Sequence, residues 1–365
     1  MGDLSNQKVF ARLFRDGLIN MGYSNIFETR PILRSATFDR IEGMMLGLAI
    51  GDSLGNTTES RVPKDRTQEH GQITDYLPNK HAGNRRIGLP SDDTQLAFWT
   101  LEQLIEDKRF VPEHVAKRFS RGRIFGIGNA VREYLRNYKS GLDWYRSGTR
   151  SSGNGALMRI APMLIPYLKT SDESLWVDTV LSALITHNDS ASISSCVSFI
   201  NILVNLISYD RVPDPQWWPE TFITVAKELE NDYLYESWSP YCENYRGTLW
   251  QFVSDNVPEA YKQGKSVLDA CNFWYSGAYL LETVPSVLYI LMKYAGDPEQ
   301  AIIRAVNDTR DNDTIAALVG AAVGALHGKK VMPERWIEGL LGRTGEYDDR
   351  HIFELLASAK AIWGN

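Results

Sequence analysis

Oxygen donors crowd three short stretches of the sequence. Gly51-Asp52-Ser53-Leu54-Gly55-Asn56-Thr57-Thr58-Glu59 brings two carboxylates to a glycine-containing segment, where Gly51 and Gly55 would let the backbone turn tightly and approach a ligand. Ser91-Asp92-Asp93-Thr94-Gln95 places adjacent carboxylates beside hydroxyls, ahead of a periodic helix. An ordinary explanation exists for that pattern, because Ser and Asp cap free amides and a helix start favours negative charge. Asp308-Thr309-Arg310-Asp311-Asn312-Asp313-Thr314 is harder to explain by capping: one cap needs one oxygen, and this segment offers three carboxylates and two threonine hydroxyls. Surplus oxygens call for a cation. Asp, Ser and Thr donors without thiolates, and with few histidines, describe a hard-cation site suited to Mg2+ or Mn2+ rather than Zn2+. The number of acids points to two ions. An EF-hand is a poor competitor, since counting from Asp308 its sixth position holds Asp313 in place of Gly and its twelfth Val319 in place of Glu.

A fourth stretch has different chemistry. In Ser151-Ser152-Gly153-Asn154-Gly155-Ala156-Leu157-Met158-Arg159, small residues and an amide suit a loop whose backbone faces a phosphate or ribose, although an ordinary turn has the same composition and neither a Walker loop nor a Rossmann fingerprint is present. Gly126-Ile127-Gly128-Asn129, opening a helix, is a candidate second anion contact. His187, in Thr186-His187-Asn188-Asp189, is a lone histidine, which taken by itself reads as structural.

The elements that must position these residues are helical. Ile41, Met44, Met45 and Leu48 recur at helical spacing, as do Ala97, Phe98, Leu101, Leu104 and Ile105, then Val177, Val180, Leu181 and Leu184. Further helices are expected over 191–207, 279–291, 314–326 and 353–363. Gly320 and Gly324, four apart on one helix face, would permit close approach of a neighbouring helix. Alternating patterns are scarce and no solenoid period recurs, so the fold class is all-α, with helices packed around a buried centre. Residues 38–365 read as one domain. Residues 1–37 read as an N-terminal extension with an amphipathic run, Val9, Phe10, Leu13, Phe14 and Leu18, decorated by Lys8, Arg12 and Arg15. Residues 210–264, rich in Trp, Tyr and Pro, read as an irregular insertion.

Composition narrows the function classes. A formal net charge of −6 argues against adhesion to nucleic acid. Cys196, Cys242 and Cys271 are odd in number and far apart, matching neither a disulfide framework nor a thiolate metal site, which favours a reducing cytoplasm. No apolar run is long enough for a signal peptide or a membrane span. Gly2 invites myristoylation, but Asn6 stands where Ser or Thr is required.

Taken in order, GDSLG-x-x-x-E, S-DDTQ, GNGALMR-x-x-P, TH and D-x-DT before an alanine- and glycine-rich helix resemble the ADP-ribosylglycohydrolase family, over about Arg40 to Gly328. The resemblance implies an orthogonal all-α fold with two Mg2+ or Mn2+ ions at its centre. By position it implies Ser91, Asp92, Asp93, Asp311, Asp313 and Thr314 as metal ligands, with Ser91 standing where Thr is usual but keeping the hydroxyl. Glu59 matches the acid beside the metals and the scissile ribose, and Asp92, Asp93 and Asp313 share the catalytic set. Ser151, Gly153, Asn154 and Met158 match the loop that holds ADP-ribose; His187 matches a histidine near the proximal ribose and phosphates, and Tyr279 the adenosine end. The implied activity is hydrolysis of the bond joining ADP-ribose to a protein side chain, arginine first, with carboxylates stabilising oxocarbenium character and activating water.

Two rival readings remain at this level. One is an immunity protein that blocks an ADP-ribosyltransferase toxin by inserting the basic, amphipathic N-terminal extension into a groove, the alternative being an arm folded on its own core. The other is a scaffold with a dead site, against which stands the repulsive cost of keeping so many acids together without cations.

Overall fold

The computed structural model describes residues 5–33, 37–59, 61–342, 344–345 and 350–364. Gly2 and residues 34–36 of the N-terminal extension lie outside them. In chain order the helices are α1 (Asn6–Arg15), α2 (Phe38–Gly55), α3 (Pro63–His70), α4 (Asp92–Asp107), α5 (Pro112–Phe119), α6 (Asn129–Lys139), α7 (Trp144–Ser147), α8 (Ser174–Leu184) and α9 (Ser190–Leu206). They continue with α10 (Trp217–Leu229), α11 (Leu249–Lys262), α12 (Val267–Phe273), α13 (Leu280–Tyr294), α14 (Pro298–Asp308), α15 (Asn312–His327), α16 (Glu334–Gly339) and α17 (His351–Trp363). Sheet is confined, among the described residues, to two antiparallel pairs of two-residue strands: β1 (Pro78–Asn79) with β2 (Arg85–Arg86), and β3 (Tyr235–Glu236) with β4 (Arg246–Gly247). The all-α expectation holds, and no described helix is long and apolar enough to cross a membrane.

The central contact is between α2 and α15, both buried along almost their whole length. Four glycines of α2, at positions 43, 47, 51 and 55, fall in one i,i+4 row and run antiparallel against Gly324, Gly320, Ala316 and the start of α15. A Cβ on Gly47 would overlap the Gly320 carbonyl, one on Gly51 the Ala316 carbonyl, and one on Gly55 would sit 2.5 Å from the Asp313 Cα. Gly320 and Gly324 serve the close approach expected of them. Gly51 and Gly55, expected to form a turn, are instead helical and act through the same seam. The consequence is positional: the C-terminal end of α2, with Asp52 and then Glu59, is pressed against the N-terminus of α15, which carries Asp311, Asp313 and Thr314.

Two peripheral segments differ from expectation. Residues 210–264 are not irregular throughout, because α10 and α11 occupy much of the span and Trp218, Phe222, Leu249 and Phe252 are buried in the core. The N-terminal extension lies on the core rather than standing free. Val9, Phe10 and Leu13 of α1 are buried, and α1 packs on α8. Asn6 donates to the Phe110 carbonyl at 2.9 Å and to Asp178 Oδ1 at 2.7 Å. Asn188 donates to the Leu18 carbonyl at 2.9 Å and accepts from the Asn20 amide at 2.8 Å. The apolar stripe that suggested groove insertion is spent within the chain.

Gly51→Ala discriminates between a seam and an ordinary helix position. At an open helical site the change would stabilise by about 1 kcal/mol; at this seam overpacking reverses the sign, and urea unfolding will show a loss of about 1–3 kcal/mol.

Candidate active site

The acids of the second motif are positioned by an acid of the first. Asp52, fully buried near the end of α2, accepts hydrogen bonds at Oδ1 from the Ser91 amide (2.9 Å), the Ser91 hydroxyl (2.7 Å) and Asn56 Nδ2 (3.0 Å). Its Oδ2 accepts from the Thr94 amide at 3.1 Å and the Thr94 hydroxyl at 2.6 Å. A carboxylate from another helix therefore caps α4, and Ser91, though at the N-cap position, makes no side-chain cap bond of its own. Capping by the S-D-D segment itself is thereby excluded. Asp92 and Asp93 are freed for the space in front of the helix, and Asp93 Oδ1 is buried without a partner.

The third motif divides in two. Asp308 pairs with Arg304 at 3.1 Å and Thr309 donates its hydroxyl to the Ala305 carbonyl at 2.7 Å, so both finish α14. Asp311 stands at the N-cap position of α15 without a side-chain cap bond; its Oδ2 accepts from Asn154 Nδ2 at 2.6 Å instead. Carboxylate oxygens of Asp52, Asp93 and Asp313 lie within 4.8 Å of one another, as do those of Glu59, Asp311 and Asp313. The two groups share Asp313.

Burial and mutual repulsion act together on this cluster. Burial, with the charges of Asp311 and Asp52, pushes Glu59 up to about 7; burial, Asp52, Glu59 and Asp311 push Asp92 up to about 8. Asp93 and Asp313 are raised well above the ordinary carboxylate range by burial and by their acidic neighbours. Nearby guanidinium groups are engaged elsewhere. Arg66 donates to the carbonyls of Val306, Asn307, Thr309 and Arg61, and Arg310 lies 4.2 Å over the Tyr275 ring. A set of hard oxygen donors with an orphaned carboxylate oxygen, and among the described residues no cationic side chain bonded to it, fits divalent ions.

The acids form the floor of an open cleft of about 780 Å³ whose walls include Glu59, Asp92, Asp93, Ser151, Gly153, Asn154, Met158, His187, Tyr279, Asp311, Asp313 and Thr314. Of the residues expected as metal ligands, catalytic groups or substrate contacts, Ser91 alone does not line it, being bonded to Asp52. Gly126, Gly128 and Asn129 also line the cleft, and Gly126, with φ +80, would bring a Cβ to 2.8 Å from Asp92 Oδ1. The 151–155 loop is held from both sides. Asn154 N donates to the Ala278 carbonyl and Leu280 N to the Ser152 carbonyl, both at 3.0 Å, while Thr149 bridges to the 186–188 segment.

His187, which in isolation reads as structural, is almost fully buried and lines the cleft. Arg159 is fully buried and donates through Nη2 to Thr186 Oγ1 at 2.8 Å, and Thr186 Oγ1 lies 2.8 Å from His187 Nδ1. The hydroxyl accepts from Arg159 and has its own hydrogen to give to Nδ1, the arrangement in which the proton of the neutral ring sits on Nε2. That nitrogen faces the loop glycines: a Cβ on Gly155 would meet it at 3.2 Å and one on Gly153 at 3.9 Å. Burial and the Arg159 charge lower His187 to about 3, which keeps it neutral. The neighbours share the work, since Asn188 ties down the N-terminal segment and Asp189 caps α9 through the Ala191 and Ser192 amides.

Sequence reading missed the capping role of Asp52 and the cleft residues Glu282, Tyr275 and Trp238. Asp52 was visible as an acid of the first motif, but its trans-helix cap depends on tertiary contact. Glu282 accepts from the Gly277 amide at 3.0 Å. Tyr275 and Trp238 also line the cleft, and the Trp238 ring stacks on Tyr279 at 4.7 Å with 17° between planes. Nothing in the spacing of these aromatics distinguished them from core residues.

Comparison with known proteins follows the same lines. Residues 33–362 match the ADP-ribosylglycohydrolase family. An ADP-ribosylarginine hydrolase of Pseudomonas putida is 26% identical, the match covering 82% of this chain and 74% of the relative. The ADP-ribosyl-dinitrogen reductase glycohydrolase of Rhodospirillum rubrum is 25% identical over 88% of this chain and 97% of its own length. A solved structure of an ADP-ribosylglycohydrolase-related protein complex superposes with a TM-score of 0.64 at 23% identity, covering 89% of this chain and 97% of that one, so the fold is shared. The family match across nearly the whole chain, over a cleft in which widely separated acids meet, shows that this protein belongs to the ADP-ribosylglycohydrolases, hydrolases of N-glycosidic bonds.

Proposed function

We propose that this protein removes ADP-ribose from modified arginine side chains of proteins, using two divalent cations, Mg2+ or Mn2+, held by Ser91, Asp92, Asp93, Asp311, Asp313 and Thr314. The observation that carries the reading is the pair of carboxylate groups joined through Asp313 at the cleft floor. Ser91 is the weakest member of the ligand set, because its hydroxyl is committed to Asp52. Bound there, the cations would offset the carboxylate charge and orient ribose hydroxyls.

The chain's own groups supply the rest. A cluster carboxylate takes a proton from water as the water oxygen bonds to C1″; the C1″–N bond breaks and its electron pair stays on nitrogen, so the guanidinium of the substrate departs as neutral guanidine, takes up the proton that the carboxylate then releases, and leaves free ADP-ribose. Glu59, solvent-reachable beside Asp311, faces the scissile bond and either positions the substrate or shares the proton transfer. The loop of Ser151, Gly153, Asn154 and Met158 holds the ADP-ribose, His187 offers its Nε2–H to a ribose or phosphate oxygen, and Tyr279 flanks the adenosine end. Arginine is favoured over serine by the acidic residues on the cleft walls, which suit a guanidinium, and by the linkage named for the Pseudomonas putida relative. Defined arginine- and serine-linked ADP-ribosyl peptides, assayed side by side with Mg2+ and with chelator, test it: release from the arginine peptide alone, lost on chelation, is the expected result.

Asp313→Asn separates function from stability. It will cut ADP-ribose release by more than ~100-fold and abolish the rise in melting temperature that Mn2+ gives the wild type. In chelator the same variant melts higher than wild type, since it removes a buried, repelled carboxylate. A His187 ring signal that stays flat in NMR titration from pH 8 to 5 is the third expectation. With a folded pKa of about 3 against an ordinary 6.5, the neutral ring contributes its full stability above about pH 6.5 and loses it as pH falls toward 3.

A further inference from the structure

We infer that the β3–β4 hairpin and Tyr275 form a docking rim for the polypeptide that carries the modified side chain, so that the preferred substrate is an ADP-ribosylated protein with a basic, aliphatic surface around the modification rather than a free ADP-ribosyl compound. The inference rests on the glycohydrolase reading and narrows its substrate class.

Exposed aromatic side chains are concentrated at one place. Among the described residues they are Tyr23, Tyr233, Trp238, Tyr241 and Tyr275; Trp238 and Tyr241 are in the hairpin, Tyr275 is on the cleft wall, Tyr233 leads into β3 with its ring 5.0 Å from that of Tyr235, and Tyr23 lies apart. Trp238 is 74% exposed and Tyr241 69%, and Leu234 beside them is 44% exposed. The patch is continuous with the cleft, because Trp238 and Tyr275 line it and the Trp238 ring covers Tyr279.

The rim is also fixed in place, which an idle surface loop does not require. Tyr235 pairs with Gly247 and Glu236 with Arg246. The Tyr235 hydroxyl lies 3.1 Å from Asp189 Oδ1 and accepts from the Ala191 amide at 2.9 Å, tying the hairpin to the start of α9. At the tip, buried Ser239 donates to the Phe273 carbonyl at 2.6 Å, setting Trp238 and Tyr241 beside the turn that presents Tyr275. Rigid aromatic side chains held open at the mouth of a binding site cost little entropy on association and dominate contact energy where a partner covers them.

Charge selects the partner. Residues 232–245 contain Asp232, Glu236 and Glu243 and no Lys or Arg, and the nearest base in sequence, Arg246, faces Glu236 at 3.5 Å. Arg310, stacked on Tyr275 at 4.2 Å, is the cation on the other side of the rim, so the acidic side is the hairpin, where Asp232 and Glu243 stand beside the paired Glu236 and favour a surface with Lys or Arg among aliphatic side chains over an anionic membrane or nucleic acid.

The test uses the full chain and a Tyr233→Ser/Tyr241→Ser variant, whose altered side chains are more than half exposed and do not line the cleft. Kinetics are measured on an arginine-ADP-ribosylated protein and on ADP-ribosyl-agmatine, with melting temperature and sedimentation recorded for both forms. The expected result is a KM for the modified protein raised about tenfold at unchanged kcat, with the agmatine kinetics and melting temperature unaltered. Equal loss on both substrates, loss on neither, or a wild-type dimer that the variant dissociates overturns the rim. Wild-type protein that releases ADP-ribose from neither substrate overturns the glycohydrolase reading, and the rim's substrate with it.

Discussion

Helices α2 and α15 approach until there is no room for a Cβ along one face of α2 or at Gly320 and Gly324 of α15, and the acids of the cleft floor are placed relative to that seam. Glycine at 43, 47, 51 and 55, against Gly320 and Gly324, trades helix propensity for backbone contact. Each Gly costs about 1 kcal/mol in a helix interior relative to Ala, so the row makes sense only if proximity itself is needed. It brings Asp52 and Glu59, at the end of one helix, to Asp311, Asp313 and Thr314, at the start of the other. A wider crossing would carry these groups apart and leave no concentrated charge to bind a cation.

Holding the acids together is an electrostatic problem, and the fold answers it with helix ends. α4 begins at Asp92 and α15 at Asn312, so the acidic motifs sit where free amides and the helix dipole favour negative charge. Asp52 then takes over the capping of α4, receiving bonds from both Ser91 and Thr94. Among the described residues no guanidinium bonded to the cluster meets the remaining repulsion, since Arg66 serves the carbonyls at the end of α14. What stays uncompensated is the part a divalent ion would balance.

These relations explain what could be read from residues alone. The second and third motifs were legible because each holds more oxygens than a helix start can use. Their internal division was not, for whether Asp308 faces Arg304 or the cleft depends on where α14 ends. The α2 glycines announced close approach but not its partner, so a turn and a helix seam looked alike. Amphipathic spacing in Val9, Phe10 and Leu13 states that one face is covered without saying by what, and here α8 covers it. Trp238 and Tyr275 carried no periodic signal at all, because their placement comes from the hairpin and from a turn in which Tyr275 and Ser276 both adopt positive φ.

Asn154 joins the two halves of the cleft. Its amide nitrogen donates to Asp311 Oδ2 and to Thr283 Oγ1, while Thr283 donates to the Gly277 carbonyl and Ser276 accepts from the Arg310 and Asp311 amides through its own carbonyl. The loop assigned to ADP-ribose and the acid assigned to a cation are thus members of one hydrogen-bonded ring rather than neighbours across an empty space. Any ligand that draws Asp311 toward the cleft floor orders Asn154 with it, and any ligand that orders the 151–155 loop fixes the orientation of Asp311. Coupling through a shared group is reciprocal by necessity, so whatever a ligand at the loop would do to the affinity for a cation at Asp311, the cation would do to the affinity for that ligand, and the residue that joins them is an amide with no charge of its own.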